Sequence, residues 1–551
     1  MKFVVSVVIP IYNTEMYLEE TIKSIIGQTL GFRQNIQMIL VNNASQGDPH
    51  QICQKYVEEY PENVIYMEVE ENHGPCSARN AGMKKATGKY INFCDSDDKW
   101  ARDAFEKAVK YFDHHEEINV LACRIKHFDA FSDFDLFDFK FKKNIEVVDI
   151  FEQPDMVQFG LCSCLIRRTV AGKYQHDERI YHAEDMKYLT EIILEDGKYG
   201  VLADAIFFYR QRISSDSTLN TVATSDNWYD ETVEYAYFFL INLSRKKFGK
   251  VIPYIQYILL SEIRGRIDTR ISKNYSCEHK EKYIKQIKEI LREIPDFLIM
   301  NEPHLKEEKK IYALRLKHGE DFRENLTLED YIYKFGNEEI FDIRNMLKIR
   351  VITIIGGRVI VSGFLRCNVE FECGNLYIEN EKGERFYTEK EQLRKTNEMY
   401  SMDGECIVHG NSFFVELPSD KVNSLFFFMK LLDGHEIPLK INFLDNHLFY
   451  SMYFEKKDYC VSIKQKKDEV DFQYPLFPFG IIPKDSDVCI YGIGYTGMHF
   501  VNQILASGYC NIVGIVDQRY EEIKKFKGVK VMGITQISEH KFDYIIIAGR
   551  I

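Results

Sequence analysis

The sequence predicts an α/β chain: a doubly wound, mostly parallel sheet at the N-terminus, then a helical segment, a β-sandwich-like domain and a partial Rossmann-like domain. Three observations predict it. Apolar strands alternate with amphipathic helices from Val4 to Cys94, the pattern of a sheet covered on both faces. The apolar period becomes that of a helix from Asn227, then shortens to two from about Val351, which marks short antiparallel strands. A glycine-rich turn, Gly492 to Gly497, sits between a strand and a helix near the end.

The elements follow in order. Val4 to Ile11 is a β-branched run, and Thr14 to Ile26 carries Leu18, Ile22 and Ile25 at helical spacing. Ile36 to Val41 reads as the second strand, Gln51 to Tyr60 as a helix and Val64 to Val69 as the third strand. Ala78 to Ala86 reads as a helix and Tyr90 to Cys94 as the fourth strand. Ligands of such sheets bind where loops leave the carboxyl ends of strands, here after Val41, Val69 and Cys94. From Asn227 to about Gly319 the pattern is helical, with Tyr283, Ile287, Ile290 and Leu291 on one face. Arg358 to Val361, Leu376 to Ile378, Phe413 to Val415 and Leu425 to Met429 read as strands, broken by turns at Lys382-Gly383 and Asp433-Gly434.

After the polar stretch Lys464 to Asp471, the last segment reads as three strands, Val488 to Tyr491, Ile512 to Val516 and Tyr544 to Ile547. No closing helix follows, so it is expected to be a truncated domain. The expected boundaries are 1–225, 226–347, 348–470 and 471–551.

Bulk properties narrow the function. A length of 551 residues predicts roughly three or four domains, and 45% hydrophobic with 28% charged residues predicts a folded, soluble chain. A net charge of -13 argues against broad nucleic-acid binding but leaves room for a local diphosphate pocket. Thirteen cysteines, an odd number, lack zinc or redox spacing; Cys162 and Cys164 have one residue between them. Reduced thiols in a cytoplasmic protein are expected. The apolar start lacks the charge and cleavage site of a signal peptide, and no stretch reaches the ~18 apolar residues of a membrane span. Peripheral association with the inner membrane face and homo-oligomers through the C-terminal domains are compatible with this.

The sharpest chemical signal is Asp95-Ser96-Asp97-Asp98, directly after the fourth strand. Crowded carboxylates repel one another unless a cation relieves them, and oxygen ligands suit Mg²⁺ or Mn²⁺. The alternative is an acidic helix start, with Asp98 capping a helix from Arg102 to Phe112. Around the tetrad stand Val7-Val8-Ile9-Pro10-Ile11-Tyr12-Asn13, Tyr17-Leu18, Asn72-His73-Gly74-Pro75-Cys76-Ser77-Ala78-Arg79-Asn80-Ala81-Gly82 and Ala86-Thr87-Gly88-Lys89-Tyr90. This ordered set, over residues 4 to 215, closely resembles the family 2 glycosyltransferases of the GT-A fold.

The resemblance implies roles by position. Pro10 and Tyr12 would line the nucleotide-base pocket, Asp95 would hold the ribose, and Asp97 would ligate the metal that bridges the donor diphosphate. Asn72 and Arg79 would approach the nucleotide from the loop after the third strand. Family members take the acceptor proton on a carboxylate in an acidic pair opening a helix. Here Tyr181-His182-Ala183-Glu184-Asp185-Met186 fits, with Asp185 as base and Glu184 positioning it or the acceptor. The alternative is that both acids favour the helix dipole. Leu161 to Arg168 resembles the strand bordering the acceptor site. Tyr209 to Ser214 with Ser217 resembles the loop that closes over the donor, so Arg210 and Arg212 would pair with diphosphate oxygens or form a solvated basic loop. Two departures stand out. Asn42-Asn43 replaces an acidic pair common in relatives, and an Asn42 carbonyl can still accept from uracil; a metal-binding histidine near the closing loop is missing.

The implied reaction is inverting, metal-dependent transfer of a hexosyl or N-acetylhexosaminyl group from a nucleotide-sugar donor, UDP-linked, to a hydroxyl of a glycan or polyol-phosphate acceptor of the teichoic-acid type. The β-rich region resembles accessory domains of teichoic-acid and capsule glycosyltransferases. Two rivals remain. Gly492-Ile493-Gly494-Tyr495-Thr496-Gly497 with Asp517 ending the next strand fits an NAD-linked oxidoreductase or a turn kept for assembly. A scaffold that kept the fold and lost its chemistry is the other.

Overall fold

The computed structural model describes every residue except Met1, His73, 130–137, 144, 213–225, 273–274, 356–357, 369–373, 391–398, 403, 444–453, 464–476, 478–480, 522 and 549–551. The chain divides into two compact units, Met1–Glu302 and Pro303–Ile551.

In the first unit, β1 (Val5–Ile11) is buried at every position because it runs inside the sheet. It lies parallel to β2 (Ile36–Asn43), and β2 lies parallel to β3 (Val64–Val69). Helices α1 (Glu15–Ile26), α2 (His50–Glu59) and α3 (Pro75–Met83) alternate with these strands, and β4 (Tyr90–Phe93) pairs in parallel on the other side of β1. The sheet then turns mixed through β5 (Lys99–Trp100), β6 (Val120–Asp129), β7 (Val147–Asp149), β8 (Cys164–Arg167) and β9 (Lys198–Gln211). Its order is β3-β2-β1-β4-β8-β6-β9-β5, with β7 also on β9. The expected mostly parallel N-terminal half is therefore present, and β8 is where it turns antiparallel.

Register decides where a ligand can sit. Pro10 lies opposite Val41, and Val8 opposite Phe93, so β1, β2 and β4 finish at one edge and their loops open together. Helix α3 reaches that edge because Gly82 lets it lie on the sheet: a Cβ there would stand 2.4 Å from Val8 Cγ1 and 3.2 Å from Val41 Cγ2. A buried polar knot closes the opposite approach to β4. Gln37 Oε1 accepts from Ser6 Oγ at 2.6 Å and from Thr87 N at 2.8 Å, while Gly88 N donates to Ser6 Oγ at 2.8 Å. The capping alternative for Asp98 fails. Helix α4 (Ala104–His114) starts after Asp103, and Asp98 is 2% exposed with its Oδ1 committed elsewhere.

After α5 (Glu184–Asp196) and β9, the unit continues as helices α6 (Phe239–Phe248), α7 (Pro253–Asp268) and α8 (Cys277–Arg292). Helix α8 buries Tyr283, Ile287, Ile290 and Leu291, the face the spacing predicts. Ser276 caps it by accepting from His279 N.

The second unit begins with α9 (Glu307–His318), then a three-stranded sheet of β10 (Leu326–Glu329), β11 (Ile332–Phe335) and β12 (Glu338–Asp342). These strands were not foreseen. They are largely exposed or half-buried, so the apolar alternation that signals a strand is weak. Two antiparallel sheets follow, built around β13 (Leu347–Ile355), β14 (Arg358–Asn368), β15 (Asn375–Asn380), β16 (Cys406–Pro418) and β17 (Ser424–Lys430). The turns at Gly383 and Gly434 take φ of 79° and 91°.

The last segment holds β18 (Asp487–Tyr491), helix α10 (Tyr495–Ser507), β19 (Asn511–Val516), β20 (Val529–Met532) and β21 (Tyr544–Ile547). Four parallel strands run in the order β20-β19-β18-β21, with Lys525–Phe526 antiparallel on β20. The three-strand expectation is thus one parallel strand short: β20, only four residues long and carrying Lys530, has too little apolar pattern to show. One cysteine also departs from the reduced-thiol expectation. Cys367 is disulfide-bonded, while the other described cysteines are free thiols. No helix among the described residues is long and apolar enough to cross a membrane.

Candidate active site

The loops after β3 and before α5 are stitched together, and this builds the site. Gly74, at φ +80°, leaves no room for a Cβ, which would stand 2.5 Å from the Tyr181 ring. Asn80 Nδ2 donates to His176 O and Glu178 Oε1, each at 2.9 Å, and His176 N returns a bond to Asn80 Oδ1. Between these contacts lies Arg79.

Arg79 is the hub. Its side chain is 3% exposed and faces three carboxylates. Nη1 donates to Asp185 Oδ1 at 2.5 Å and Glu184 Oε1 at 3.2 Å, and Nη2 donates to Asp95 Oδ1 at 3.2 Å. Burial opposes the charge of Arg79, but Asp185, Asp95 and Glu184 outweigh it and raise the guanidinium well above its usual value. Burial pushes Asp185 up to about 8 against the pull of Arg79, with Glu184 adding to the rise; burial raises Glu184 as well. Both acids open α5 behind Ala183, which is held at φ 61° and ψ 14°.

The tetrad is fixed by its backbone. Thr21 Oγ1 donates to Ser96 O at 2.9 Å and Asp98 O at 2.7 Å, and Ser96 Oγ meets Thr14 Oγ1 at 2.6 Å. Asp95 Oδ2 accepts from Cys162 Sγ at 3.1 Å. Burial, then Asp95, pushes Asp97 up, opposed by Arg212; burial and then Asp95 and Asp97 raise Asp98 well above the usual carboxylate range. Asp98 Oδ2 is buried and meets no donor among the described residues.

The two loop arginines behave differently. Arg210 spends its donors on protein: Nε on Asp97 O at 2.7 Å, its backbone N on Asp98 Oδ1 at 2.7 Å, Nη1 on Asp129 and Nη2 on Glu20. Its guanidinium also sits 4.6 Å from the Tyr17 ring and 4.4 Å from that of Phe128. Arg212 instead lies on Asp97, with Nε and Nη2 at 3.0 and 2.5 Å from Oδ2. The remaining residues of the expected closing loop, Ile213, Ser214 and Ser217, lie outside the described residues.

Around the strand ends, Pro10 is buried in β1 and Tyr12 projects with 42% exposure. Asn42 Oδ1 accepts from Ser45 N at 3.1 Å, and its Nδ2 donates to Tyr66 at 3.4 Å. Asn72 Oδ1 accepts from Gly74 N at 2.8 Å and Asn43 Nδ2 at 2.9 Å. Non-glycine residues in left-handed conformation mark three of these loops: Asn13, Ala44 and Ala183.

The structure thus joins Arg79, Asp95, Glu184 and Asp185 in one ion network and sets Asp97 and Arg212 against each other two residues from Asp95. It turns Arg210 inward, which rules out for it the solvated-loop alternative to diphosphate pairing. Glu20 and Asp129 complete the setting and were not singled out, because nothing in their neighbourhood in sequence reports contacts this distant, while Cys162 comes from the segment 161–168 that the resemblance set beside the acceptor. No group of three or more His, Cys, Asp or Glu side chains among the described residues forms a metal cage. Asp97 offers hard oxygens of the kind a divalent cation takes, and an orphaned carboxylate oxygen of Asp98 lies next to it in sequence.

The module near the C-terminus is closed by comparison. Asp517 Oδ2 accepts from Ile493 N at 2.8 Å, and Oδ1 accepts from Arg519 N and Nε at 3.0 Å. Gly497 permits the turn, since a Cβ there would stand 1.8 Å from Gly492 O.

Residues 6–174 match the model of Glycosyl transferase family 2, and residues 484–550 match that of C2185-like, N-terminal. The chain is 30% identical over 492 residues to the minor teichoic acid biosynthesis protein GgaB of Bacillus subtilis (strain 168), covering 84% of this chain and 52% of that protein. It is 30% identical over 262 residues to the minor teichoic acid biosynthesis protein GgaA of the same strain, covering 47% and 58%. The chain spans about half the length of these relatives. The crystal structure of S. aureus TarS aligns with a TM-score of 0.48 and 15% identity, over 84% of this chain and 85% of that one.

Proposed function

We propose that this chain, whose residues 6–174 match the model of Glycosyl transferase family 2, moves a sugar from a UDP-linked donor to a hydroxyl of a teichoic-acid-type or related cell-surface polymer. One observation carries the reading. Arg79 ties Asp95, assigned to the ribose, to Asp185, assigned as base, in one ion network around a buried guanidinium. A donor held at Asp95 and an acceptor at Asp185 therefore meet across a single guanidinium. The printed names of GgaB and GgaA support an acceptor of the teichoic-acid type.

The chemistry follows from these side chains. The acceptor oxygen attacks the anomeric carbon from the face opposite the diphosphate. The bond from that carbon to the diphosphate oxygen breaks, the acceptor proton passes to an Asp185 carboxylate oxygen, and UDP departs; the configuration inverts. Raised basicity suits Asp185 to this step, because a proton acceptor works best near the operating pH. Pro10, Tyr12 and Asn42 receive the base, Asn72 borders it, and Asp95 holds the ribose. Asp97 would hold Mn²⁺ or Mg²⁺ with diphosphate and water, and such an ion supplies positive charge to the leaving group. Glu184 shares Arg79 with Asp185 and so keeps the base oriented. Arg210 is assigned to bracing the tetrad rather than to the diphosphate, since its donors are already engaged.

Catalysis is assigned to residues 1–225, with 226–347, 348–470 and 471–551 as accessory parts that hold acceptor or assemble copies of the chain. Work at the cytoplasmic side, where nucleotide sugars are made, fits this assignment. The test is a screen of nucleotide sugars with Mn²⁺, reading thermal shift first and released UDP second. A ligand at 100 Kd should stabilise by about 2.7 kcal/mol. If no nucleotide raises the melting temperature, the pocket assignment is wrong; if binding occurs but D185A turns over as well as the unaltered chain, the base assignment is wrong.

A further inference from the structure

We infer that Arg212 is an exchangeable counter-ion of Asp97: guanidinium and divalent cation occupy that carboxylate in turn, and Arg212 moves to the diphosphate when the cation binds with the donor. The inference rests on the donor-site reading above. Three carboxylates fall within four residues, and the Asp97 side chain is only 17% exposed. Something positive has to stand there when no donor is bound. Arg210 cannot supply it, because its Nε meets only the Asp97 carbonyl and its two Nη atoms serve Asp129 and Glu20. Arg79 is spread over Asp95, Glu184 and Asp185. Arg212 touches the Asp97 carboxylate itself, and it places two N–H groups on the same oxygen, Oδ2.

Nε and Nη2 fill both lone-pair sites of Oδ2, so a divalent ion must either displace them or bind Oδ1 beside the guanidinium. A divalent ion brought to this carboxylate also repels a guanidinium held a few ångströms away. An incoming diphosphate reverses the balance, because it offers Arg212 a paired set of anionic oxygens matched to a planar fork of donors. Arg212 is thus a positioning residue: it keeps Asp97 neutralised while the site is empty and becomes a donor ligand once the site fills.

The test compares Mn²⁺ binding by the full chain and by R212Q, R212K and D97N, read from the free-Mn²⁺ paramagnetic resonance signal, with and without UDP. Without nucleotide, R212Q should bind Mn²⁺ about tenfold more tightly than the unaltered chain, with R212K between them, and D97N should bind none. With saturating UDP the order should invert, R212Q binding the UDP–Mn²⁺ pair about tenfold more weakly. Equal or weaker Mn²⁺ binding by a folded R212Q in the absence of nucleotide overturns the inference and leaves the donor site standing; such a result means that metal and guanidinium share Asp97 through different oxygens. Absence of UDP–Mn²⁺ binding by the unaltered chain overturns the donor-site reading and this inference with it. A thermal melt checks that each variant is folded, and R212K, which keeps the charge, separates lost competition from local collapse.

Discussion

Two regions end a parallel strand in aspartate, and they treat it in opposite ways. After β4, burial and then Asp95 raise Asp97 although Arg212 lies on it, burial with Asp95 and Asp97 raises Asp98 well above the usual carboxylate range, and Asp98 keeps an oxygen without a donor among the described residues. After β19, Asp517 has a backbone N–H on one oxygen and Arg519 on the other, and these bonds bring it to about 2 despite burial. A strand-end acid whose surroundings satisfy it is a structural brace for its turn. One whose surroundings leave it wanting a cation is poised for a ligand. Position in an α/β sheet is common to both, so position alone does not tell them apart; the partners do.

The contrast can be broken or sharpened by substitution. The largest effect should come from D97A and D185A, each lowering kcat for UDP release by about a thousandfold, whereas D517N should leave it within about twofold. A large loss in D517N would erase the distinction. Next, R79Q should strand Asp95, Glu184 and Asp185 without a counter-charge and cost about 3–5 kcal/mol in a denaturant titration. Stability unchanged in R79Q would show that the network is solvated.

Acid–base behaviour gives the third measurement. Asp185 must be unprotonated to accept a proton, so kcat/KM should rise about tenfold per pH unit toward a plateau above about 8. The same shift sets a stability trend. The folded chain holds that proton where the unfolded chain has released it, so the contribution is complete below about 4, the ordinary aspartate value, and lost as pH rises to about 8. The melting temperature of D185N should therefore gain on the unaltered chain across that window, and a gap that stays flat would contradict the raised basicity. The smallest effect is expected in the last module. D517N should lower its stability by about 1–2 kcal/mol through the loss of a charged acceptor for Ile493 N and Arg519, read by hydrogen exchange at Ile493.

Much of this was legible in the residues. The strands β1 to β4 announced themselves as apolar runs, α8 by its Tyr283–Ile287–Leu291 face, and the tetrad and the acidic pair by composition at strand and helix ends. What stayed hidden was set by distant partners. Arg79 reads as a residue that approaches a nucleotide from the loop after the third strand, yet its bonds run to acids more than a hundred positions away. Arg210 and Arg212 look alike in sequence, and only the fold turns one toward Glu20 and Asp129 and the other onto Asp97. The β10–β12 sheet escaped notice because exposed strands carry little apolar alternation, and Cys367 because a single bridge has no spacing signature.

Ala183 has a consequence of its own. An L-residue held at φ 61° costs roughly 1–2 kcal/mol relative to the right-handed region, and this one directly precedes Glu184 and Asp185. Glycine at that position would relax the turn and make the protein hardier, yet it would also let the acidic pair wander. Thermal robustness and turnover therefore pull in opposite directions at a single methyl group. Any search for hardier versions that scores survival of heat alone will tend to collect glycine there and return a sturdier but slower protein.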